Sequence, residues 1–201
     1  MSMTNCLIAG VGGQGTVLAS KLIATAAMDI GLAVRTTETI GMAQRGGCVV
    51  SHVRMGEGIF SPLIPLRSAD LILALEPAEA VRLLPYLAEG GLLIACDAAL
   101  KPVTDALGKG GYQARAVLDF LAAQPIDSLI LSGEKLTAGC GPKALNVAML
   151  GAAAQSGRLP MGAEALETVI QAKIPQRFQA MNLEAFESGR SMYNEQRSTG
   201  R

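Results

Sequence analysis

Cys6-Leu7-Ile8-Ala9-Gly10-Val11-Gly12-Gly13-Gln14-Gly15 is the stretch on which the fold turns. A short apolar run of strand length enters a turn carrying glycines at Gly10, Gly12, Gly13 and Gly15. An amphipathic segment follows directly: Val17, Leu18, Lys21, Leu22, Thr25 and Met28 recur at three- and four-residue steps. That spacing predicts a helix over 14–30, closed by Gly31. Residues 32–38 are rich in β-branched side chains and predict a second strand. Strand, glycine turn, helix and strand within about 40 residues imply a parallel βαβ unit with a right-handed crossover.

Gly10, Gly12 and Gly15 fit G-x-G-x-x-G. Such a turn bends sharply and brings amide N–H groups up to an anion at a helix N-terminus. Glu38 stands near the end of the second strand, about 20 residues on, where dinucleotide-binding folds place an acidic residue on the ribose hydroxyls. Two readings follow. The turn binds a dinucleotide, or its glycines only let a helix pack closely on a strand. Gln14, opening the helix at a doubled glycine, counts against the first.

Beyond Glu38 the simple alternation breaks. Residues 39–47 are polar and glycine-rich, 48–54 read as a strand, 55–58 as a turn, and 59–64 as extended again. Strand, glycine turn and strand at that spacing predict a β-hairpin and a mixed sheet. Alternation then resumes. Strands are expected at 70–75, 91–96 and 129–131, and helices at 77–87, 117–122, 144–155, 164–173 and 177–187. The polar stretch 188–201 is expected to fray. The fold class is α/β: a Rossmann-like three-layer sandwich with a mostly parallel sheet and an inserted β-hairpin, one domain over 1–201.

The chain has 201 residues, half of them apolar, enough for one well-packed core and too apolar for disorder. Its net charge is zero, so no basic field draws in nucleic acid or an anionic membrane. Aromatics make up 3% and Trp is absent, which disfavours base stacking. No run is long and apolar enough to span a bilayer, and the start lacks a signal-peptide pattern, so a cytoplasmic protein is expected. Cys6, Cys48, Cys96 and Cys140 form no C-x-x-C pair, and no metal or iron–sulfur site is expected on this chain.

The loop Gly41-Met42-Ala43-Gln44-Arg45-Gly46-Gly47 puts one Arg and one Gln among glycines just past a strand's carboxyl end, where open α/β sheets bind ligands. Arg45 suits a carboxylate or phosphate through its planar fork, and Gln44 and Gly46 flank it. The alternative is a solvated surface loop or a subunit contact. His52 is the one histidine, inside a strand, and Arg54 points to the same face; the pair lines an interface, an anion site or only its own core. Glu76 and Glu79 sit at a helix start, where carboxylates serve acid/base chemistry or simply favour the helix dipole. No residue is singled out as catalytic.

Together these motifs resemble one family. Gly10-x-Gly12-Gly13-Gln14-Gly15, the 41–47 loop, Ser51-His52-Val53-Arg54, Ser61-Pro62-Leu63-Ile64-Pro65 and Leu84-Pro85-Tyr86-Leu87 are similar to the gamma subunit, or gamma domain, of 2-oxoacid:ferredoxin oxidoreductases. So are Ala144-Leu145-Asn146 and Asn182-Leu183-x-Ala185-Phe186. The loop from Gly41 most resembles the smaller, beta subunit of the indolepyruvate branch. The resemblance implies a thiamine-diphosphate-dependent oxidative decarboxylation to acyl-CoA, with electrons passing through iron–sulfur clusters to ferredoxin. It implies that thiamine and clusters sit on a larger partner chain and that this chain is inactive alone. Coenzyme A is expected to meet the glycine turn or Arg45, and the isolated chain is expected to pair with itself. Two rivals stay open: a free-standing NAD(P)-dependent dehydrogenase, and a docking subunit whose turn binds nothing.

Overall fold

In the computed structural model, residues 3–41, 47–100 and 111–199 are described. Six strands form one sheet: β1 (Thr4–Val11), β2 (Val34–Ile40), β3 (Cys48–Met55), β4 (Ala69–Ala74), β5 (Leu87–Cys96) and β6 (Asp127–Leu131). Their order is β2-β3-β1-β4-β5-β6. β1, β4, β5 and β6 run parallel, and β3 is antiparallel to both its neighbours. The sheet is therefore mixed and mostly parallel.

The antiparallel pair differs from the expected hairpin. β3 pairs with β2, from Val34 opposite Met55 to Ile40 opposite Val49, and residues 59–64 form no strand. Pro62 and Pro65 lack the N–H groups a ladder needs. The chain must also pass from β3 to the far side of β1 before β4 begins. β1 and β2 share a direction, as the βαβ pattern implies, but β3 lies between them.

Helices cover both faces. One face carries α1 (Thr16–Asp29), α5 (Leu145–Gln155), α6 (Ala163–Lys173) and α7 (Gln176–Thr199) over Cys6, Ile8, Leu71, Leu73, Leu92 and Ile94. The other carries α2 (Pro77–Leu83) and α3 (Ala114–Ala122) over Leu7, Ala9, Ile72, Ala74, Leu93 and Ala95. A short helix, α4 (Gly133–Leu136), follows β6. Successive residues of β1, β4 and β5 feed opposite cores, which is why these strands read as unbroken apolar runs.

α5 is apolar all round because it is buried all round. It meets α7 backbone to backbone: a Cβ on Gly151 would stand 1.9 Å from the Phe186 carbonyl oxygen, and one on Gly189 1.7 Å from that of Ala148. Residues 188–199, expected to fray, continue α7. Met192 is buried, Gln196 Nε2 donates to the Ile130 carbonyl, and Arg197 Nη1 pairs with Asp127 Oδ1 at 2.8 Å. The polar composition of this stretch reflects the outer face of a docked helix.

Candidate functional site at the carboxyl edge of the sheet

The chain leaves β1 toward β2 on one side and returns at β4 on the other, so the ends of β1 and β4 form a topological switch point. The glycine turn stands there. Gln14 holds it: its Oε1 accepts from Val11 N–H at 2.7 Å and its Nε2 donates to the Leu75 carbonyl at 2.9 Å. One side chain thus ties the end of β1 to the chain just past β4. A Cβ on Gly10 would stand 2.7 Å from that Oε1. Gly15, at φ +82°, faces Asn146, whose Nδ2 donates to the Gly15 carbonyl and would be 2.5 Å from an added Cβ. Gly10 and Gly15 therefore make room for two amide side chains. Asn146 is buried at the start of α5, and sequence reasoning saw it only as part of a motif. Its distance along the chain hides the contact with α1.

Gly13 is exposed at φ +104°. Gly12 N–H donates to the Gly47 carbonyl at 2.9 Å, and Gly41 N–H to the Cys48 carbonyl at 2.8 Å. The glycine turn and the base of the loop between β2 and β3 are thus joined. Gln44, Arg45 and Gly46 lie outside the described residues.

Glu38 does not reach the turn. It is exposed on β2, opposite Ser51, which in turn lies opposite Ile8. Two strand spacings, about 10 Å, separate it from β1. The ribose contact predicted for it needs adjacent strands, and β3 removes that adjacency.

His52 and Arg54 are brought together on one face, both buried. His52 Nδ1 accepts from Ile64 N–H at 3.1 Å, and its ring meets Tyr86 edge to face at 6.3 Å. Burial holds its pKa below the ordinary imidazole value. Arg54 donates to the Ser61 and Leu63 carbonyls at 2.8 and 3.1 Å and to Asn5 Oδ1 at 2.9 Å. The pair clasps the loop over 56–68.

An acidic wall closes the edge on the α2 side. Glu76 caps α2, its Oε2 accepting from Ala78 and Glu79 N–H, and its Oε1 accepts from the Tyr112 hydroxyl. Glu79 is buried, with Oε1 on Arg82 at 2.8 Å. Cys48 borders the same small cavity as Glu76, Glu79, Arg82 and Tyr112. Burial, then the Glu79 carboxylate, pushes the Cys48 thiol up to about 11, so it is protonated at neutral pH and a poor nucleophile. Burial raises the Cys6 and Cys96 thiols as well, to about 12 and about 11. Among the described residues no three His, Cys, Asp or Glu side chains converge to hold a metal ion. None of the described helices is long and apolar enough to cross a membrane.

The family model described as pyruvate ferredoxin/flavodoxin oxidoreductase matches residues 5–192. Indolepyruvate oxidoreductase subunit IorB of Pyrococcus horikoshii is 34% identical over 192 residues, covering 94% of this chain and 95% of the relative. The subunit of the same name from Archaeoglobus fulgidus is 35% identical over 187 residues, 92% of each. The keto/oxoacid ferredoxin oxidoreductase gamma subunit of Geobacter sulfurreducens superposes with a TM-score of 0.68 at 22% identity, covering 96% of this chain and 99% of that one. A 2-oxoglutarate:ferredoxin oxidoreductase chain from Magnetococcus marinus gives 0.74 at 18% identity, covering 97% of this chain but 32% of that longer one. With a family match running almost end to end, the chain belongs to the pyruvate ferredoxin/flavodoxin oxidoreductase family.

Proposed function

We propose that this chain is the small, gamma-type subunit of a 2-oxoacid:ferredoxin oxidoreductase of the indolepyruvate, or arylpyruvate, kind. The observation that carries this reading is the nearly full-length match to the Pyrococcus horikoshii subunit, in which neither chain leaves a substantial segment over. The enzyme oxidatively decarboxylates its 2-oxoacid to the acyl-CoA and passes electrons to ferredoxin. Thiamine diphosphate and the iron–sulfur clusters belong to a larger partner chain. This assignment agrees with the spacing of the cysteines here: Cys6, Cys48, Cys96 and Cys140 form no C-x-x-C pair of the kind iron–sulfur sites use. The chain is inactive alone.

Its own part is to pack on the thiamine-bearing subunit and help seat coenzyme A. We assign that task to the loop rather than the turn. Val11 and Gly12 N–H already have carbonyl partners on Gln14 and Gly47. Arg45, in the loop whose base is fastened to the turn, is the cation suited to a phosphate. The dehydrogenase alternative loses support because Glu38 stands away from the turn.

The test is co-expression with the large thiamine- and cluster-bearing chain, followed by 2-oxoacid-dependent dye reduction in the presence of coenzyme A. Turnover of indolepyruvate that requires both chains is expected. Equal turnover by the large chain alone would overturn the reading.

A further inference from the structure

The loop between β3 and β4 combines two properties that seldom occur together: a rigid base and an apolar crest. Phe60 is 99% exposed, whereas the other phenylalanines are 48%, 42% and 1% exposed. Leu63 and Leu66 beside it are 55% and 61% exposed. The stretch Ile59-Phe60-Ser61-Pro62-Leu63-Ile64-Pro65-Leu66 carries no charge.

The base of this loop is pinned at several points. Arg54 bonds the carbonyls on either side of Pro62, His52 takes Ile64 N–H, and Ile64 is driven into the core. Asn5, which receives Arg54 Nε, donates from Nδ2 to the Ser68 carbonyl at 2.8 Å. Arg67 holds a left-handed φ of 54° and bonds through its N–H to the Pro85 carbonyl. Three buried polar side chains and a residue of left-handed backbone thus hold the crest outward. A phenyl ring kept in water forgoes about 2–3 kcal/mol of burial, and a preorganised anchor loses little entropy when it docks.

We infer that the Phe60–Leu63–Leu66 crest is the anchor by which this subunit plugs into a neutral, apolar pocket on its large partner chain. The inference rests on the functional reading above. Area selects this occupant over a second copy of the chain. A buried aromatic ring supplies about 150–250 Å², so the crest offers on the order of 400 Å², whereas a stable interface needs about 800 Å² per partner. Two crests meeting across a twofold axis fall short of that. A knob entering a pocket on a large surface that has other contacts does not need the full area itself. The role also accounts for His52 and Arg54 as positioning residues that present the crest.

The experiment uses the co-expressed pair. Phe60→Ser is expected to weaken association at least about 10-fold by surface plasmon resonance. The same substitution should leave the melting temperature of the isolated chain unchanged, because the ring packs against little of its own chain. Leu63→Ser should give a smaller loss. Wild-type affinity in Phe60→Ser overturns the inference and leaves the functional reading standing. A wild-type homodimer that Phe60→Ser converts to monomer overturns it in favour of a second copy. Failure of the wild-type chain to associate at all overturns the functional reading and the inference with it.

Discussion

The Gln14 carboxamide uses both of its polar atoms, accepting from Val11 N–H and donating to the Leu75 carbonyl. A carboxylate keeps the first bond and sets a lone pair against the second carbonyl. Gln14→Glu is therefore expected to lower unfolding free energy by about 1–3 kcal/mol at pH 7. The loss should be smaller at pH 4, where a protonated carboxyl regains a donor; urea titration at both pH values checks this. His52 gives a second residue-scale outcome. Its Nδ1 must stay unprotonated to accept Ile64 N–H, and burial lowers its pKa in the folded chain. The unfolded chain then binds the proton first, near pH 6.5. The stabilising contribution is complete above that value and is lost as pH falls from there through the lower folded value. His52→Asn keeps an acceptor that does not titrate. Melting temperatures between pH 5 and pH 8 should fall toward pH 5 more steeply for wild type than for the variant. The sequence marked His52 and Arg54 as a pair on one face. It could not say what they touch, because the loop they hold shows no periodicity.

At the scale of elements, α5 and α7 approach so closely that their glycines carry the contact. An exposed helical Gly→Ala change stabilises by about 0.5–1 kcal/mol. At Gly151 the sign reverses, because a methyl group 1.9 Å from the Phe186 carbonyl must push the helices apart. Overpacking costs about 1–3 kcal/mol, so Gly151→Ala should be net destabilising in urea unfolding. A stabilised variant would contradict the packing. Strand positions were legible from apolar runs, yet their partners were not. β3 has two edges and joins both β2 and β1, whereas the apparent hairpin mate at 59–64 contains prolines that cannot ladder. Glu76 was legible as a helix start, and its Oε2 on two α2 amides matches the helix-dipole reading.

For the whole molecule, the consequence lies at the joined turn and loop. Arg45→Ala, reassembled with the large chain, is expected to raise the KM for coenzyme A about 10-fold with kcat nearly unchanged. That pattern marks lost uniform binding of a phosphate. Unchanged kinetics at low coenzyme A would remove Arg45 from that role. Glu76, Glu79 and Arg82 line a small cavity together with Cys48, at the base of the same loop.

The sequence by itself determined the α/β class, the βαβ start and the family, because these rest on local period, turn chemistry and combined motifs. Only the tertiary structure decided that Gln14 and Asn146 fill the space the glycines leave, that β3 separates Glu38 from the turn, and that His52 and Arg54 serve a loop. Each of those is set by strand order and side-chain packing, and none leaves a periodic trace in the sequence.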